Sequence, residues 1–320
     1  MRILLTGATG FVGAALLARL LRDGRWAVRA ALRRETDPLP AEAERVQVAE
    51  LAPDTPWATA LDGVDTVIHL AARVHVMHDD AGDPLAEFRR VNVAGTLQLA
   101  RQAAAAGVRR FLYLSSIKVN GEETRAGRPF GPDDPAQPMD PYGISKHEAE
   151  LGLRELESAS GMQVVVVRPP LVYGPGVKAN FRALMRAVAR GMPLPLGAID
   201  NQRSLVALDN LVDFVVACVE HPAAAGQTFL VSDGVDLSTP ELVRHIARAM
   251  HRPTRLVPVP MWLLGAAAAL TGRRAAMHRL CSSLEVDISK SRRLLGWAPS
   301  LSLDEAFGRA VAGFAPASRD

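Results

Sequence analysis

The fold is decided near the start of the chain, where residues 2–13 read RILLTGATGFVG. The run from Ile3 to Thr6 predicts a buried strand, and the apolar spacing from Phe11 to Leu21 predicts a helix. A strand, a glycine-rich turn and a helix in this order bind the pyrophosphate of a dinucleotide. Glycine allows the tight turn and the close approach of the ligand, and the helix N-terminus supplies free N–H groups. The predicted cofactor contacts here are Gly7, Thr9, Gly10, Phe11, Val12 and Gly13.

Short aliphatic runs alternate with helical segments over the first half of the chain. Such runs are typical of strands covered on both faces, and this succession predicts a parallel sheet. The predicted fold class is α/β, a Rossmann-type doubly wound parallel sheet with a smaller C-terminal α/β substrate lobe. We expect a dinucleotide-binding domain over residues 1–172, rejoined by segments near 203–233, and a substrate lobe over residues 173–320. The predicted strands are Ile3 to Thr6, Val28 to Leu32, Val46 to Val48, Thr66 to Leu70, Phe111 to Ser115, Val164 to Arg168 and Thr228 to Val231.

Composition excludes several classes of protein. Among 320 residues 48% are apolar, so the chain can bury a large core and is neither disordered nor fibrous. A net charge of +3 predicts no nucleic-acid partner. Cys218 and Cys281 show neither metal spacing nor a disulfide framework, which indicates a reduced, cytoplasmic protein. The apolar stretch from Val257 to Leu270 contains two prolines and is too short for a membrane span. It predicts a buried or surface-packed helix, and the alternative is a helix that lies on a membrane surface.

The end of the second predicted strand bears on the choice between NAD and NADP. An acidic residue there holds the ribose 2′-hydroxyl of NAD, whereas a basic residue accommodates the 2′-phosphate of NADP. The strand runs directly into Arg33 and Arg34, and the first carboxylate is Glu35, so the sequence favours NADP(H) and leaves NAD(H) open. The alternative is that two arginines of an arginine-rich chain solvate a loop. Glu50 and Leu51, after the third strand, are expected near the adenine.

A tyrosine and a lysine four residues apart form the candidate catalytic pair. Tyr142 and Lys146 share one face of a helix whose start is indicated by Asp140-Pro141. A nearby cation favours phenolate, so Lys146 and the positive nicotinamide are expected to lower the pKa of Tyr142. Ser115 and Ser116 end the fifth strand at the edge where doubly wound sheets bind ligands, and a hydroxyl there can bond the oxygen that Tyr142 protonates.

With these motifs the sequence resembles the extended short-chain dehydrogenase/reductase family over nearly its whole length. Other matching residues are His69-Leu70-Ala71-Ala72, Asn92, and the run from Arg168 to Pro175. The resemblance implies that Ser116 is the catalytic hydroxyl, and that Lys146 also binds the nicotinamide ribose. Asn120 stands where the family commonly has tyrosine. Asn92 would also support the active-site helix. The cofactor contacts that the resemblance implies are Leu70, Ala71, Ala72, Asn92, Ser115, Tyr142, Lys146, Pro169 and Val172.

Within this family the sequence looks like the bacterial nucleotide-sugar enzymes that act at sugar C4. This UDP-glucose 4-epimerase-like branch includes 4-ketoreductases of the N-acetylquinovosamine and N-acetylfucosamine type. The similarity is carried by residues 115–122, 177–181 and 201–206. It implies a UDP-sugar substrate, with Asn180 on the nucleotide or its phosphates and Arg203 on the diphosphate, because a planar guanidinium suits phosphate oxygens. The expected substrate contacts are Ser116, Lys118, Tyr142, Asn180, Arg203 and Arg279.

Several activities can be separated by residue. A nucleotide-sugar 4,6-dehydratase carries an Asp-Glu pair where this chain has Ile117-Lys118, so dehydration is disfavoured. An epimerase oxidises and re-reduces C4 and usually prefers NAD, whereas a reductase commonly consumes NADPH. Arg33 and Arg34 therefore favour reduction of a UDP-2-acetamido-2,6-dideoxy-4-hexulose for surface polysaccharide synthesis. The first alternative is a UDP-glucose or UDP-N-acetylglucosamine 4-epimerase.

Two further alternatives belong to other classes. A catalytically silent dinucleotide-binding regulator can use the same fold, but such proteins commonly lose the tyrosine or the lysine. Steroid or flavonoid reduction is disfavoured by Asn180 and Arg203, which are typical of diphosphate-nucleotide contacts. The resemblance also implies a homodimer, assembled through the helical segments at 94–106 and 148–156.

Overall fold

The computed structural model describes residues 1–34, 36–74, 82–125, 127–270, 272 and 274–314, with the backbone alone at 274–276. Glu35, the first carboxylate after the second strand, lies outside the described residues.

The larger of two sheets has seven strands, all parallel, in the order β3-β2-β1-β4-β5-β6-β9. Its strands are β1 (Arg2–Thr6), β2 (Ala27–Leu32), β3 (Glu44–Gln47), β4 (Thr66–His69), β5 (Arg110–Leu114), β6 (Gln163–Arg168) and β9 (Thr228–Leu230). The central strands are buried on both faces, which is why their sequences lack polar alternation. The strand order reverses between β1 and β4, so their carboxyl ends frame the crevice where such sheets bind ligands. The predicted fold class is confirmed.

Helices cover both faces of this sheet. They are α1 (Phe11–Asp23), α2 (Ala58–Leu61), α3 (Pro84–Phe88), α4 (Thr96–Ala105), α5 (Pro141–Ser160) and α7 (Leu208–Glu220), and a π-helical turn (Arg89–Gly95) joins α3 to α4. Leu16 of α1 and Phe214 of α7 pack with Ile3 and Leu5, whereas Leu99 of α4 packs with Leu4 and α5 on the opposite face. Successive residues of β1 thus serve two cores.

A smaller lobe is built around a three-stranded sheet in the order β10-β8-β7. Its elements are β7 (Leu171–Tyr173), α6 (Ala179–Ala189), β8 (Arg203–Ala207), β10 (Asp236–Leu237), α8 (Thr239–Ala249), α9 (Met261–Leu270), α10 (Arg274–Cys281) and α12 (Leu303–Ala312). The helix α11 (Ser289–Leu295) instead packs against β9 of the larger sheet. Its core stacks Tyr173 on Phe181 and Phe307, with ring centroids 5.4 and 4.8 Å apart. This sheet was not predicted, because its strands do not alternate regularly with long helices as those of the larger sheet do.

The apolar stretch before residue 271 forms α9 and lies on the surface. Of its ten residues only Leu264 and Ala268 are buried. The stretch therefore forms a helix at the surface of the lobe, which the prediction of a buried or surface-packed helix includes. Within the part of the chain that the structure describes, no helix is long and apolar enough to cross a membrane.

Candidate active site

The glycine turn after β1 has a geometry that larger residues would disrupt. Gly7 has φ +72°, in the left-handed region, and a Cβ there would lie 2.9 Å from the backbone nitrogen of Ala71. A Cβ at Gly13 would lie 2.0 Å from the Gly7 carbonyl oxygen, so α1 packs directly on the turn. No side chain caps α1 at Gly10. This cradle, with an uncapped helix N-terminus, fits the pyrophosphate of a dinucleotide.

A buried hydrogen-bonded chain fixes the strand ends beside this turn. Thr6 Oγ1 accepts the N–H groups of Leu70 and Ala71, each at 3.2 Å. It lies 2.7 Å from His69 Nδ1, to which its hydroxyl then donates. His69 Nε2 lies 3.0 Å from Thr96 Oγ1 on α4 and donates to it in this tautomer. Burial lowers the pKa of His69 to about 3, so the ring is neutral and acts as a structural link rather than a proton carrier.

The start of α5 is held by a charged cap. Asp140 precedes the helix, and its Oδ1 accepts the Gly143 N–H at 2.7 Å. The Lys118 ammonium is paired with Asp140 and lies 3.4 Å from Glu122. Lys118 is a predicted substrate contact. The structure places it at the beginning of α5, where its ammonium is paired with the carboxylates of Asp140 and Glu122. A Cβ at Gly143 would lie 2.9 Å from the Lys118 carbonyl oxygen, so this cap and the loop after β5 fit closely.

Lys146 is buried between α5 and β5. Its Nζ donates to the Leu114 carbonyl at 2.9 Å, and lies 4.4 Å from the Tyr113 ring centroid and 5.9 Å from the Tyr142 ring centroid. Burial lowers the pKa of Lys146 to about 7, against the opposing effect of Glu150. The predicted pair thus lies at the end of β5, with the ammonium directed to a carbonyl and an aromatic face.

The predicted lowering of the Tyr142 pKa is not found in the protein alone. Burial raises the pKa of Tyr142, and the Asp140 carboxylate raises it further. Lys146 does not offset these effects, because its own charged form is disfavoured by burial and its Nζ is bonded to Leu114. A phenolate at Tyr142 therefore needs positive charge beyond that of the described residues.

Asn92 connects the loop after β4 to the helix of the catalytic pair. It lies in the π-helical turn, is 1% exposed, and its Oδ1 accepts the Arg73 N–H at 2.8 Å. Its Nδ2 donates to the Arg73 carbonyl and to Ser145 Oγ, both at 3.0 Å. Ser145 in turn donates to the Tyr142 carbonyl at 2.8 Å. π-helical turns occur often at functional sites, and here the turn places Asn92 against α5.

The two serines at the end of β5 face different partners. The Ser115 hydroxyl donates to Glu150, whose carboxylate also accepts Arg168 Nη2 at 2.5 Å. Arg168 Nη1 donates to Asn120 Oδ1 at 2.9 Å, so Asn120 belongs to a buried network with Arg168, Glu150 and Ser115. Ser116 is half-buried and caps a short 3₁₀ turn, accepting a backbone N–H at 3.3 Å. Because the Ser115 hydroxyl is bonded to Glu150, Ser116 is the one of the two serines that stays available to a substrate at the candidate site.

Sequence reasoning missed two residues of this region. Tyr113 gives Lys146 its aromatic face. Glu150 carries the charge that holds Ser115 and Arg168. The i, i+4 spacing from Lys146 to Glu150 places both on one face of α5 and was the available indication.

The basic pair after β2 is exposed but not equally available. Arg34 Nε donates to Asp37 Oδ1 at 3.0 Å, and its backbone N–H reaches the same carboxylate. Arg33 is exposed. One of the two arginines predicted at a 2′-phosphate is therefore already paired with an acidic residue.

Other predicted cofactor residues lie along the same edge of the sheet. Leu51 is buried, whereas Glu50 is exposed with its carboxylate 3.2 Å from Arg90. Pro169 is buried after β6, and Val172 of β7 is half-buried. Leu70, Ala71 and Ala72 are half-buried after β4, as are Phe11 and Val12 at the start of α1, and Thr9 is exposed.

The predicted substrate residues of the smaller lobe occupy two places. Asn180 is exposed in the first turn of α6, next to Ala179, whose φ of +52° is unusual for a residue other than glycine. Arg203 begins β8, and its Nη1 donates to the carbonyls of Arg279 and Ser282 at 2.9 Å. Burial lowers the pKa of Arg203. The Arg279 side chain is exposed at the end of α10.

Comparison with known proteins agrees with this geometry. Residues 3–232 match the family described as the NAD dependent epimerase/dehydratase family. A UDP-glucose 4-epimerase of Vibrio cholerae is 46% identical, covering 99% of this chain and 96% of that protein. A UDP-glucose 4-epimerase of Mycolicibacterium smegmatis is 31% identical over 98% of both chains. UDP-glucuronic acid 4-epimerase from Bacillus cereus, solved in complex with NAD, shares the fold with a TM-score of 0.78 at 20% identity over 98% of both chains.

Proposed function

We propose that this chain, which belongs to the NAD dependent epimerase/dehydratase family, is a 4-epimerase of a UDP-hexose. The family predicted from the motifs is confirmed, and the protein is an NAD-dependent enzyme of the short-chain dehydrogenase/reductase type. One observation carries the hydride-transfer chemistry, which both candidates below share: the Tyr142/Lys146 pair stands at the carboxyl end of β5, on a sheet whose glycine cradle fits a dinucleotide. The 46% identity to a UDP-glucose 4-epimerase supports the activity and the substrate class.

The cofactor would be held by the glycine turn and by the strand ends next to it. Gly7, Gly10 and Gly13 would admit the pyrophosphate, Leu51 would lie near the adenine, and Lys146 would reach the nicotinamide ribose. When bound, the nicotinamide would accept hydride from C4 of the sugar and return it. The positive charge of the oxidised nicotinamide would also favour the phenolate form of Tyr142 and so lower its pKa.

The chain's own residues would manage the proton and the position of the sugar. Tyr142 would take the proton of the C4 hydroxyl during oxidation and give it back during reduction. Ser116 would donate to the same oxygen and stabilise the carbonyl. Inversion requires that opposite faces of C4 be presented in the two steps, so the diphosphate needs a firm anchor while the sugar turns. We assign that anchor to Arg203, whose guanidinium is positioned by the carbonyls of Arg279 and Ser282. Asn180 of α6 would bind the nucleotide or its phosphates.

Dehydration does not fit this site. The residues after Ser116 are Ile117, which is buried, and Lys118, which is paired with Asp140. Neither can serve as the carboxylic acid that elimination of water requires.

A second candidate, reduction of a UDP-2-acetamido-2,6-dideoxy-4-hexulose, rests on Arg33. This exposed arginine after β2 would suit the 2′-phosphate of NADPH, the reductant that a ketoreductase consumes. Arg34 supports this candidate less, since Asp37 already binds it. We therefore place NAD and epimerisation first, and NADP(H) with 4-ketoreduction second.

The purified protein separates the two candidates directly. Denaturation and chromatography identify any dinucleotide that it retains, and NMR follows C4 in UDP-glucose and in UDP-N-acetylglucosamine without added cofactor. We expect retained NAD and formation of the C4 epimer from one of these sugars. Stoichiometric NADPH oxidation with a UDP-4-keto-6-deoxy sugar, and no epimer formation, would establish the reductase instead. Cofactor binding with neither activity would indicate a silent regulator.

The wider setting of the enzyme is also a proposal. Free Cys218 and Cys281 favour a cytoplasmic protein, and a UDP-sugar product would serve surface polysaccharide such as O-antigen. We propose a homodimer through α4 and α5, where Leu151 is exposed. We further propose that residues 1–172, with the segments near 203–233, bind the cofactor and that residues 173–320 mainly bind substrate.

A further inference from the structure

The helix α9 exposes apolar side chains that its own lobe leaves uncovered. Its sequence, MWLLGAAAAL, has no charged residue, and a helix that is apolar on all sides is normally buried. Here Leu264 packs into the lobe core, while Trp262 is 73% and Leu270 is 90% exposed. Met261 and Leu263 are also exposed. Large exposed apolar patches mark interaction sites.

The sequence around α9 is strongly and uniformly basic. Residues 242–284 contain seven arginines and neither aspartate nor glutamate. The whole chain carries only +3, so the remainder of the molecule is net acidic. Arg252 and Arg255 precede α9 and are exposed, and Arg279 is exposed on α10, which packs against α9. Exposed positive charge thus lies on both sides of α9 in the sequence, at Arg252 and Arg255 before the helix and at Arg279 after it.

Helix length and side-chain chemistry identify the partner. Ten residues cannot span the roughly 30 Å core of a bilayer. A protein–protein interface of ordinary size contains several direct hydrogen bonds. On α9 the only polar side-chain group is the indole N–H of Trp262. An apolar body with an indole and flanking arginines matches the boundary between acyl chains and anionic headgroups. We propose that α9 and its flanking arginines dock the protein on the surface of a bilayer that contains anionic phospholipid.

The test uses the complete protein and two kinds of vesicle. We expect sedimentation with vesicles of equal parts phosphatidylcholine and phosphatidylglycerol, and not with phosphatidylcholine alone. Trp26, Trp57 and Trp297 are buried, so a blue shift of tryptophan emission on binding would report Trp262. Trp262→Phe should remove the shift and retain binding.

Matched variants separate the apolar and the electrostatic parts. Trp262→Glu should lower the bound fraction at least tenfold. The control Val235→Glu changes an exposed residue away from α9 and should leave the bound fraction unaltered. Arg252→Ala and Arg255→Ala should each weaken binding about fivefold. Thermal unfolding verifies that each variant is folded.

Three results would overturn the proposal. They are equal binding to both kinds of vesicle, Trp262→Glu binding like the unmodified protein, and absence of sedimentation with either vesicle. A blue shift that grows with protein concentration in the absence of lipid would overturn it too, and would assign the surface to a second copy of this chain.

Discussion

Replacing Glu150 by glutamine tests the buried ion pair behind the catalytic edge of the sheet. The side chains of Glu150 and Arg168 are 5% and 8% exposed. The carboxylate accepts Arg168 Nη2 at 2.5 Å and Nε at 3.0 Å, together with the Ser115 hydroxyl. Glutamine keeps the size of the side chain. It removes the charge, however, and turns an NH₂ group toward donors.

The expected cost follows from the geometry. Removing one partner of a buried, hydrogen-bonded ion pair costs about 3–5 kcal/mol, because the other charge is left uncompensated. In a chain of this size each kcal/mol lowers Tm by about 2 °C, so we expect a loss of about 6–10 °C. Glu148 on the same helix provides the matched control, since its partner Arg89 is half exposed. Glu148→Gln should cost less than about 1 kcal/mol.

The free energy of unfolding is measured by urea denaturation, with circular dichroism as the probe. Glu150→Met combined with Arg168→Met removes both charges and should recover most of the stability lost in either single variant, which gives the coupling between the two residues. The argument fails if Glu150→Gln is as mild as the Glu148 control. It also fails if the losses of the two methionine variants simply add.

Four further predictions, on five substitutions, address the cofactor and the chemistry. Tyr142→Phe should lower turnover about 10²- to 10⁴-fold while calorimetry shows unchanged UDP-sugar binding; near-normal turnover would remove Tyr142 from the mechanism. Arg33→Ala should weaken NADPH binding about tenfold more than NADH binding, and Arg34→Ala should have less effect because Asp37 already binds that side chain; fluorescence titration showing equal losses would argue against a 2′-phosphate contact. Gly13→Ala should abolish retention of a dinucleotide in the purified protein, since its Cβ would lie 2.0 Å from the Gly7 carbonyl oxygen; a retained cofactor would contradict the packing argument. The free energy of unfolding of the unmodified protein should rise, relative to that of Lys146→Met, as pH increases from about 7 toward the ordinary pKa of lysine. In this range the unfolded chain holds a proton on Lys146 that the folded chain has released. The same pH dependence in both proteins would show that burial does not perturb the pKa of Lys146.

The sequence predicts best those parts of the fold that a short run of consecutive residues forms. The β1–turn–α1 unit is such a stretch, and its strand and helix begin within one residue of the predicted positions. The smaller sheet was missed although β8, with five residues, is as long as β1. Its strands follow no regular alternation with long helices, and prolines and glycines interrupt the sequence around β7. Tertiary contacts therefore decide these strands.

The candidate site shows the same division. The i, i+4 spacing located Tyr142 and Lys146 together, because one helix fixes both. In the protein without cofactor burial raises the pKa of Tyr142, so the predicted lowering by Lys146 and the nicotinamide together stays a prediction. The link from Arg168 to Asn120 spans 48 positions and has no local pattern. Such partners become visible only when β5 and β6 lie side by side.

The three bonds of Asn92 have a consequence for which amino acids the position tolerates. Its Oδ1 accepts an N–H and its Nδ2 faces the Arg73 carbonyl and Ser145, so the amide has one orientation. Aspartate would match the shape and lose both donors, and its negative charge would face a carbonyl oxygen. Deamidation exchanges the NH₂ group of Asn92 for an oxygen at nearly constant volume. It would therefore remove the bond to Ser145 on α5 and the bond to the Arg73 carbonyl in the loop after β4.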